Sequence, residues 1–180
     1  ASLSKPKAQA LLTRIKELES KGFQFEGAEA SFQLLLVRSN EDYRPPFELV
    51  DFMVVVEKHR RPSRKAVESL SEAMVKVRVG DTEVHTAAEG NGPVNALDLA
   101  LRKGLSQFYP VVEQVRLTDY KVRILNEGAG TEAQIRVLIE SRAGDDVWNT
   151  VGSSTNIIDA SWLALADSLE YWLLKSNKTI

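Results

Sequence analysis

The chain has 180 residues, of which 43% are hydrophobic and 27% are charged, and its formal net charge is -2. This balance is ordinary for a globular protein and gives no basic field that would attract nucleic acid or an anionic membrane. Cysteine is absent, which excludes disulfides, thiolate nucleophiles and zinc–thiolate sites. No apolar run reaches the roughly 18 residues that span a bilayer, and no signal peptide opens the chain. We therefore expect a cytoplasmic protein with neither nucleic acid nor a membrane as partner, cut or processed from a longer chain because it begins without Met.

Residues 1–45 are predicted to form a helical linker arm of two helices. The first helix begins at an N-cap Ser4 and ends at Gly22, because glycine readily terminates a helix. Its apolar positions recur at helical spacing: Ala8, Leu11, Leu12, Ile15 and Leu18. The second helix places four apolar residues on one face: Phe25, Ala28, Phe32 and Leu35. It ends at the Arg44-Pro45-Pro46 turn, and an arm of this size must pack on the rest of the chain.

Residues 46–180 are predicted to form a second domain of two repeats, 46–112 and 113–180. The first repeat contains three strands and a helix that follows Gly92-Pro93. The predicted strands are Phe47–His59, a second around Val75, Val77 and Val79, and a third over Glu83–Ala88 after a turn at Gly80-Asp81. The second repeat has the same order: strands over Val115–Leu125, Ile135–Ile139 and Val147–Val151, then a helix over Ile157–Leu174.

A shift of 64 positions places residues 82–109 on residues 146–173 without a gap. The shift aligns identical residues at six positions: Thr86/Thr150, Ala96/Ala160, Leu99/Leu163, Ala100/Ala164, Leu101/Leu165 and Leu105/Leu169. The predicted fold class is α+β, with two βββα repeats related by a pseudo-twofold axis and preceded by the short helical arm. The first strand is apolar at both alternations, so we expect burial of both its faces and a homodimer. The alternative is a self-sufficient monomer.

Each repeat has a strand-to-helix junction that would bind a small anion. At the first, two glycines bracket Asn91 and Pro93 opens a helix, whose N-terminal N–H groups attract a carboxylate or phosphate. The alternative is that this stretch is only a tight strand-to-helix turn that binds no ligand. It contains no nucleotide-binding loop pattern. The second junction, residues 151–160, has no glycine bracket, and Ser154, Thr155 or Asn156 would simply be its N-cap. Together the junctions would frame an aliphatic amino acid.

No catalytic or metal-binding set is evident. His59 and His85 are the only histidines, and neither has a partner at metal-ligand spacing. His85 alternates along a strand as a surface residue would, and the basic loop at 60–65 is typical of a solvated linker, with a phosphate contact as the alternative. Three serines lack a nucleophile-elbow context: Ser31, Ser71 and Ser161. We therefore expect no catalytic residue, metal or cofactor in this chain, since a free-standing enzyme needs an acid–base pair.

The first junction resembles a known signature. Residues 88–97 (AEGNGPVNAL) are similar to the GNGPV(N/D)AL motif of the C-terminal regulatory domain of 2-isopropylmalate synthase-type enzymes, as are residues 119–123 (DYKVR) and 128–131 (GAGT). The stretches 19–30 (ESKGFQFEGAEA) and 156–162 (NIIDASW) are closer to the citramalate synthase branch. The resemblance covers nearly the whole chain.

This resemblance implies the regulatory, dimerising domain of an acetyl-CoA-dependent acyltransferase whose catalytic TIM barrel belongs to the same polypeptide but is not in these residues. It implies feedback inhibition by isoleucine or leucine, in a parent that uses pyruvate or 2-oxoisovalerate; the sequence leaves both choices open. The candidate effector-binding residues lie at the junctions and on adjoining strands: Thr86, Ala88, Gly90, Asn91, Gly92, Pro93, Val94, Ala96, Tyr120, Thr150, Gly152, Asn156, Ile157 and Ala160. The alternative is a structural dimerisation module that binds no ligand.

Overall fold

The structure is a computed structural model that describes residues 5–57 and 70–177. The chain divides into two compact units, one of residues 46–113 and one of residues 1–45 together with 114–180. Ser4, His59 and the basic loop at 60–65 lie outside the described residues.

The arm contains α1 (Lys5–Ser20) and α2 (Glu29–Arg38). The predicted stop at Gly22 is confirmed: its φ is 90°, its N–H donates to Glu19 O at 2.9 Å, and the N–H of Phe23 donates to Leu18 O at 3.1 Å. This pair of bonds is a Schellman motif, which satisfies carbonyls that the helix end leaves open. The predicted apolar stripe is only partly right, because Leu12 is 51% exposed while Leu11 is buried.

The second helix starts later than predicted and ends earlier, at Arg38 rather than at the Arg44-Pro45-Pro46 turn. Phe25 precedes α2, since Gly27 adopts a φ of 78°, which interrupts a right-handed helix, and Ala28 is the N-cap. Phe25 nevertheless packs near Phe32, with ring centroids 6.1 Å apart.

The first repeat contains β1 (Glu48–Glu57), β2 (Leu70–Val79), β3 (Thr82–Gly90) and α3 (Pro93–Leu105). The three strands form an antiparallel sheet in the order β1-β2-β3, with the predicted turn at Gly80-Asp81. One face buries Val75 and Val77 together with leucines of α3: Leu97, Leu101 and Leu105.

The other face of this sheet, hereafter the outer face, bears on the predicted burial of both faces of the first strand. Met53 is 51% exposed and Val55 is 39% exposed, so β1 is not buried on both faces within the single chain. The physical reason is that α3 covers only the face opposite them, where Val75 and Val77 lie.

The second repeat contains β4 (Arg116–Ile124), β5 (Ile135–Ala143), β6 (Asp146–Ser154) and α4 (Ile157–Ser176), with an antiparallel sheet in the order β4-β5-β6. Short 3₁₀ helices precede and follow β4, at Pro110–Gln114 and Glu127–Glu132. The bounds of β3 and β6 differ by 64 positions, and α3 and α4 also begin 64 positions apart. The structure thus confirms the predicted pair of βββα repeats.

The arm packs on the second repeat, along the edge strand β6 and the helix α4. The Ser31 hydroxyl accepts a hydrogen bond from the Val151 N–H at 3.0 Å and donates to Asp167 Oδ2 at 2.6 Å. At the turn between α1 and α2, the carbonyl of Lys21 accepts hydrogen bonds from Gln134 and Ser153, both at 2.8 Å. The arm therefore satisfies one backbone N–H of the edge strand, that of Val151, which would otherwise be open.

A charge cluster, hereafter the clamp, fastens α2 to α4; its two carboxylates are largely buried, whereas the side chain of Arg38 is 38% exposed. Arg38 donates to both carboxylate oxygens of Glu170, at 3.0 and 2.7 Å, and to Asp167 Oδ1 at 2.8 Å. The Tyr43 hydroxyl donates to Glu170 Oε1 at 2.6 Å. Burial by itself would lower the pKa of Arg38, but its hydrogen bonds and the charges of the two carboxylates raise it above the ordinary value. The domain boundaries at residues 45 and 112 stay a prediction.

Candidate functional site

The first junction joins β3 to α3 with very little space between strand and helix. A Cβ on Gly90 would lie 2.5 Å from the backbone nitrogen of Ala96, so only glycine permits this approach. The Asn91 N–H donates to Asn95 Oδ1 at 3.1 Å and closes the turn. Ala88 and Val94 are half-buried beside it, whereas Ala96 is fully buried against the sheet.

The N-terminus of α3 is open. Gly92 is its N-cap and Pro93 occupies the first helical position, and no side chain in the described part of the chain caps this helix. Proline has no N–H, so the N–H groups of Val94 and Asn95 are the donors that the first turn presents. Their direction and the helix dipole favour an anion at this point.

The second junction is closed by its own side chain. Asn156 is the N-cap of α4, and its Oδ1 accepts hydrogen bonds from the N–H groups of Ile158, at 2.8 Å, and Asp159, at 3.4 Å. These are the donors equivalent to Val94 and Asn95, since the offset of 64 maps Gly92 onto Asn156. The predicted alternative, in which Asn156 is simply the N-cap, is confirmed.

Ser71 marks the first junction and was missed by the sequence reasoning. It is 1% exposed, it pairs with Gly90 across the β2–β3 ladder, and its hydroxyl has no hydrogen-bond partner among the described residues. A buried hydroxyl without a partner is uncommon and is destabilising unless something else pairs with it. The equivalent residue of the second repeat is Ile135, which carries no polar group. A comparison of the repeats position by position would have found this difference.

Thr86 and Thr150 lie beneath the helices of their repeats. Their hydroxyls donate to Ala100 O at 2.8 Å and to Ala164 O at 2.7 Å, and both side chains are buried. Each threonine thus ties the last strand of its sheet to the helix, so its hydroxyl proton is already in use. Their contact with an effector stays a prediction.

Tyr120 lies at the second junction. It follows a bulge in β4, and its hydroxyl is 2.7 Å from Ser161 Oγ, which in turn donates to the carbonyl of Ile157 at 2.6 Å. The strand pairing makes Phe52 and Leu97 the corresponding residues of the first repeat. Sheet and helix therefore meet through hydroxyls in the second repeat, where the first repeat carries apolar side chains.

Gly152 and Ala160 belong to the tightest contact of the second junction. A Cβ on Gly152 would lie 1.9 Å from the carbonyl oxygen of Ala160. Both residues are buried, whereas Ile157 is 40% exposed at the start of α4. The candidate residues consequently form two sets, one at each junction and each within its own unit.

The described residues contain no group of three or more side chains that would hold a metal ion. His85 is exposed on β3, as expected. None of the helices among residues 5–57 and 70–177 is long and apolar enough to cross a membrane.

Comparison with known proteins identifies the domain. The LeuA allosteric (dimerisation) domain matches residues 26–173. The (R)-citramalate synthase of Geobacter sulfurreducens is 53% identical over 173 residues, and that of Aquifex aeolicus is 48% identical over 173 residues; each alignment covers 96% of this chain and 32% of the relative. The 2-isopropylmalate synthase of Pseudoalteromonas atlantica is 34% identical over 98 residues, which cover 54% of this chain and 18% of that protein. The chain thus spans about a third of the length of the citramalate synthases that it matches. With two βββα repeats and a family match over most of its length, the chain belongs to the family of LeuA allosteric (dimerisation) domains.

Proposed function

We propose that this chain is the cytoplasmic regulatory domain of an acetyl-CoA-dependent acyltransferase of the citramalate or 2-isopropylmalate synthase type. It dimerises and binds a branched-chain amino acid, isoleucine or leucine, as feedback inhibitor of a catalytic barrel in the same polypeptide. The family match and the activities of the relatives support this proposal.

The open N-terminus of α3 is the observation that carries the proposal. The N–H groups of Val94 and Asn95 would receive the carboxylate of the amino acid, an interaction of about 0.3–1 kcal/mol when exposed and up to about 2 kcal/mol when partly buried. The half-buried Ala88 and Val94 would contact its aliphatic side chain. The unpaired Ser71 hydroxyl would supply one further polar contact.

The difference between the repeats favours the first junction for the carboxylate. In the second repeat Asn156 already accepts the hydrogen bonds that a carboxylate would accept, so a ligand there would first have to displace it. We therefore infer that the second junction is not an anion site; what it exposes at the start of α4 is the apolar side chain of Ile157.

To inhibit, the amino acid must bind one state of the parent enzyme better than the other. A tenfold preference corresponds to about 1.4 kcal/mol of coupling between effector and active site.

Substitutions at Gly92 test the carboxylate site. A Cβ at this position meets no heavy atom within 4 Å, so the folded chain has room for a side chain. Gly92→Asp is expected to abolish effector binding with the dimer intact, because the new carboxylate occupies the N–H groups of α3 and repels the carboxylate of the ligand. Gly92→Asn, which copies Asn156, is expected to weaken binding without adding charge.

Gly92→Ala is the matched control and is expected to retain affinity. The measurement is calorimetric titration of the 180-residue chain with isoleucine and with leucine. Unchanged affinity in Gly92→Asp would place the site elsewhere. No heat with either amino acid at millimolar concentration, in protein shown by light scattering to be dimeric, would leave only the structural dimerisation module.

A further inference from the structure

A cavity of about 560 Å³ lies between the arm and the second repeat, within one compact unit. Its volume falls within the roughly 300–1,000 Å³ that is typical of small-molecule sites. The walls are apolar and come from α1, the α1–α2 turn, α2 and α4: Leu11, Leu18, Phe23, Phe25, Leu35 and Leu163. This cavity contains no residue of the first junction and shares only Val151 with the second.

The floor of the cavity is polar and belongs to the clamp. Ser31, Arg38 and Asp167 line it, and Glu170 lies directly behind Arg38 at 2.7 Å. The two carboxylates carry two negative charges against the single positive charge of Arg38. The floor therefore has an excess of one negative charge among the described residues.

Two further cations, Lys7 and Arg14, line the cavity. The burial of each charged group decides whether the electrostatic potential inside the cavity is negative or positive. Arg14 is 53% exposed and already paired with Glu17 at 3.2 Å, and Lys7 is exposed as well. The carboxylate side chains are only 15% exposed in Asp167 and 6% in Glu170. Water and salt screen the exposed cations far more than the buried carboxylates, so the negative floor dominates. Burial raises the pKa of Asp167, although the charge of Arg38 and the hydrogen bonds from Ser31 and Arg38 oppose this effect.

We propose that this cavity binds a small amphipathic ammonium compound, with its ammonium group against Asp167 and its apolar body between the aromatic and aliphatic walls. Asp167 uses each oxygen for a single hydrogen bond, one from Ser31 and one from Arg38, and a carboxylate oxygen accepts a second. Such a ligand would also join α1 to the second repeat, which matters because Leu11 is the one buried residue of α1.

A charge series on one carbon skeleton tests this proposal. We would titrate the 180-residue chain with 4-phenylbutylamine, 4-phenylbutanol and 4-phenylbutanoate, whose ring matches the walls formed by Phe23 and Phe25. The amine is expected to bind about tenfold tighter than the alcohol, because a charge-assisted hydrogen bond replaces a neutral one, and the acid is expected to bind most weakly. Equal or tighter binding of the acid, or no binding of the amine at millimolar concentration, would overturn the proposal.

Three variants locate the binding. Leu35→Trp fills the cavity and is expected to abolish amine binding, whereas Leu12→Trp adds the same side chain at an exposed position of α1 outside the cavity and is expected to leave it unchanged. Asp167→Asn keeps one acceptor oxygen, which can face Arg38 while its amide group donates to the Ser31 hydroxyl, and it neutralises the floor, so the amine should lose its advantage over the alcohol. Amine affinity that is unaffected by Leu35→Trp would show that the amine does not bind in this cavity. If that variant fails to fold, the charge series on the wild-type chain still tests the proposal.

Discussion

At the residue scale, each repeat uses a glycine where its last strand approaches its helix most closely, but the two glycines are at different positions. The first repeat needs Gly90 so that β3 can approach Ala96, and the second needs Gly152 so that β6 can approach Ala160. The offset of 64 makes Ser154 the equivalent of Gly90, and Ala88 the equivalent of Gly152. Helix and strand are therefore closest at a different level in each repeat, which explains why the second junction lacks the glycine bracket of the first.

Gly152→Ala tests this close approach. The added Cβ would overlap the carbonyl oxygen of Ala160, so α4 must move away from the sheet, and we expect destabilisation of about 1–3 kcal/mol. The control is Gly128→Ala, since a Cβ there meets nothing within 4 Å. Urea unfolding followed by circular dichroism measures both variants. Equal midpoints for the two would refute the argument.

At the scale of elements, the clamp makes the arm a part of the second repeat. Four side chains from α2, the following turn and α4 satisfy one another in a nearly closed network: Arg38, Tyr43, Asp167 and Glu170. Ion pairs with buried members add little net stability by themselves, but the removal of Arg38 would leave the buried carboxylates without their cation and would be destabilising. The main effect of the clamp is therefore to fix the position of α2 on α4, and its net contribution to the free energy of unfolding is small.

Tyr43 makes the stability that the clamp contributes depend on pH, and Tyr43→Phe tests this dependence. Burial, and then the hydrogen bond to Glu170, raise the pKa of Tyr43 above its ordinary value of 10.0. Because the folded state holds this proton more tightly than the unfolded state, the stabilisation is complete below about pH 10 and is lost as the pH rises beyond it. We expect Tyr43→Phe to be less stable than wild type by about 1.5–3 kcal/mol near neutral pH, the range for a hydrogen bond to a charged group.

The measurement is the difference in unfolding free energy between wild type and Tyr43→Phe from pH 8 to pH 11.5. This difference should shrink as the pH rises above about 10, while titrations common to both proteins cancel. A difference that stays constant with pH would show that the hydrogen bond from the Tyr43 hydroxyl to Glu170 does not stabilise the folded state.

At the scale of the whole molecule, the outer face of the first sheet is the surface that we expect a second copy to cover. Met53, Met74 and Ala87 lie side by side across its three strands, and no described element of residues 46–113 covers them. An exposed apolar sheet face favours association, and the family to which the chain belongs is a dimerisation domain. The apolar residues from which the sequence predicts burial of both faces of the first strand and a homodimer thus fit burial between chains.

Met53→Lys tests this face. A lysine ammonium buried at the centre of an interface would be desolvated without a partner, so the dimer dissociation constant should rise by at least about tenfold. Leu12→Lys, at a residue of α1 that is equally exposed, is the matched control and should leave it unchanged. Sedimentation velocity over a dilution series measures both, and an unaltered dissociation constant for Met53→Lys would exclude this face.

The sequence by itself determined the repeat, the order of strands and helices, and the two junctions, because these features depend on local periodicity, turn residues and helix caps. Even the role of Asn156 was among the local alternatives. Only the tertiary structure decided the features that depend on residues distant in sequence. The clamp joins Arg38 to Glu170 across 132 positions, the Ser71 hydroxyl has no partner among residues 5–57 and 70–177, and the arm encloses a cavity. No local pattern encodes such contacts, because the type of a charged or hydroxyl residue does not indicate which distant residue it will contact in the folded chain.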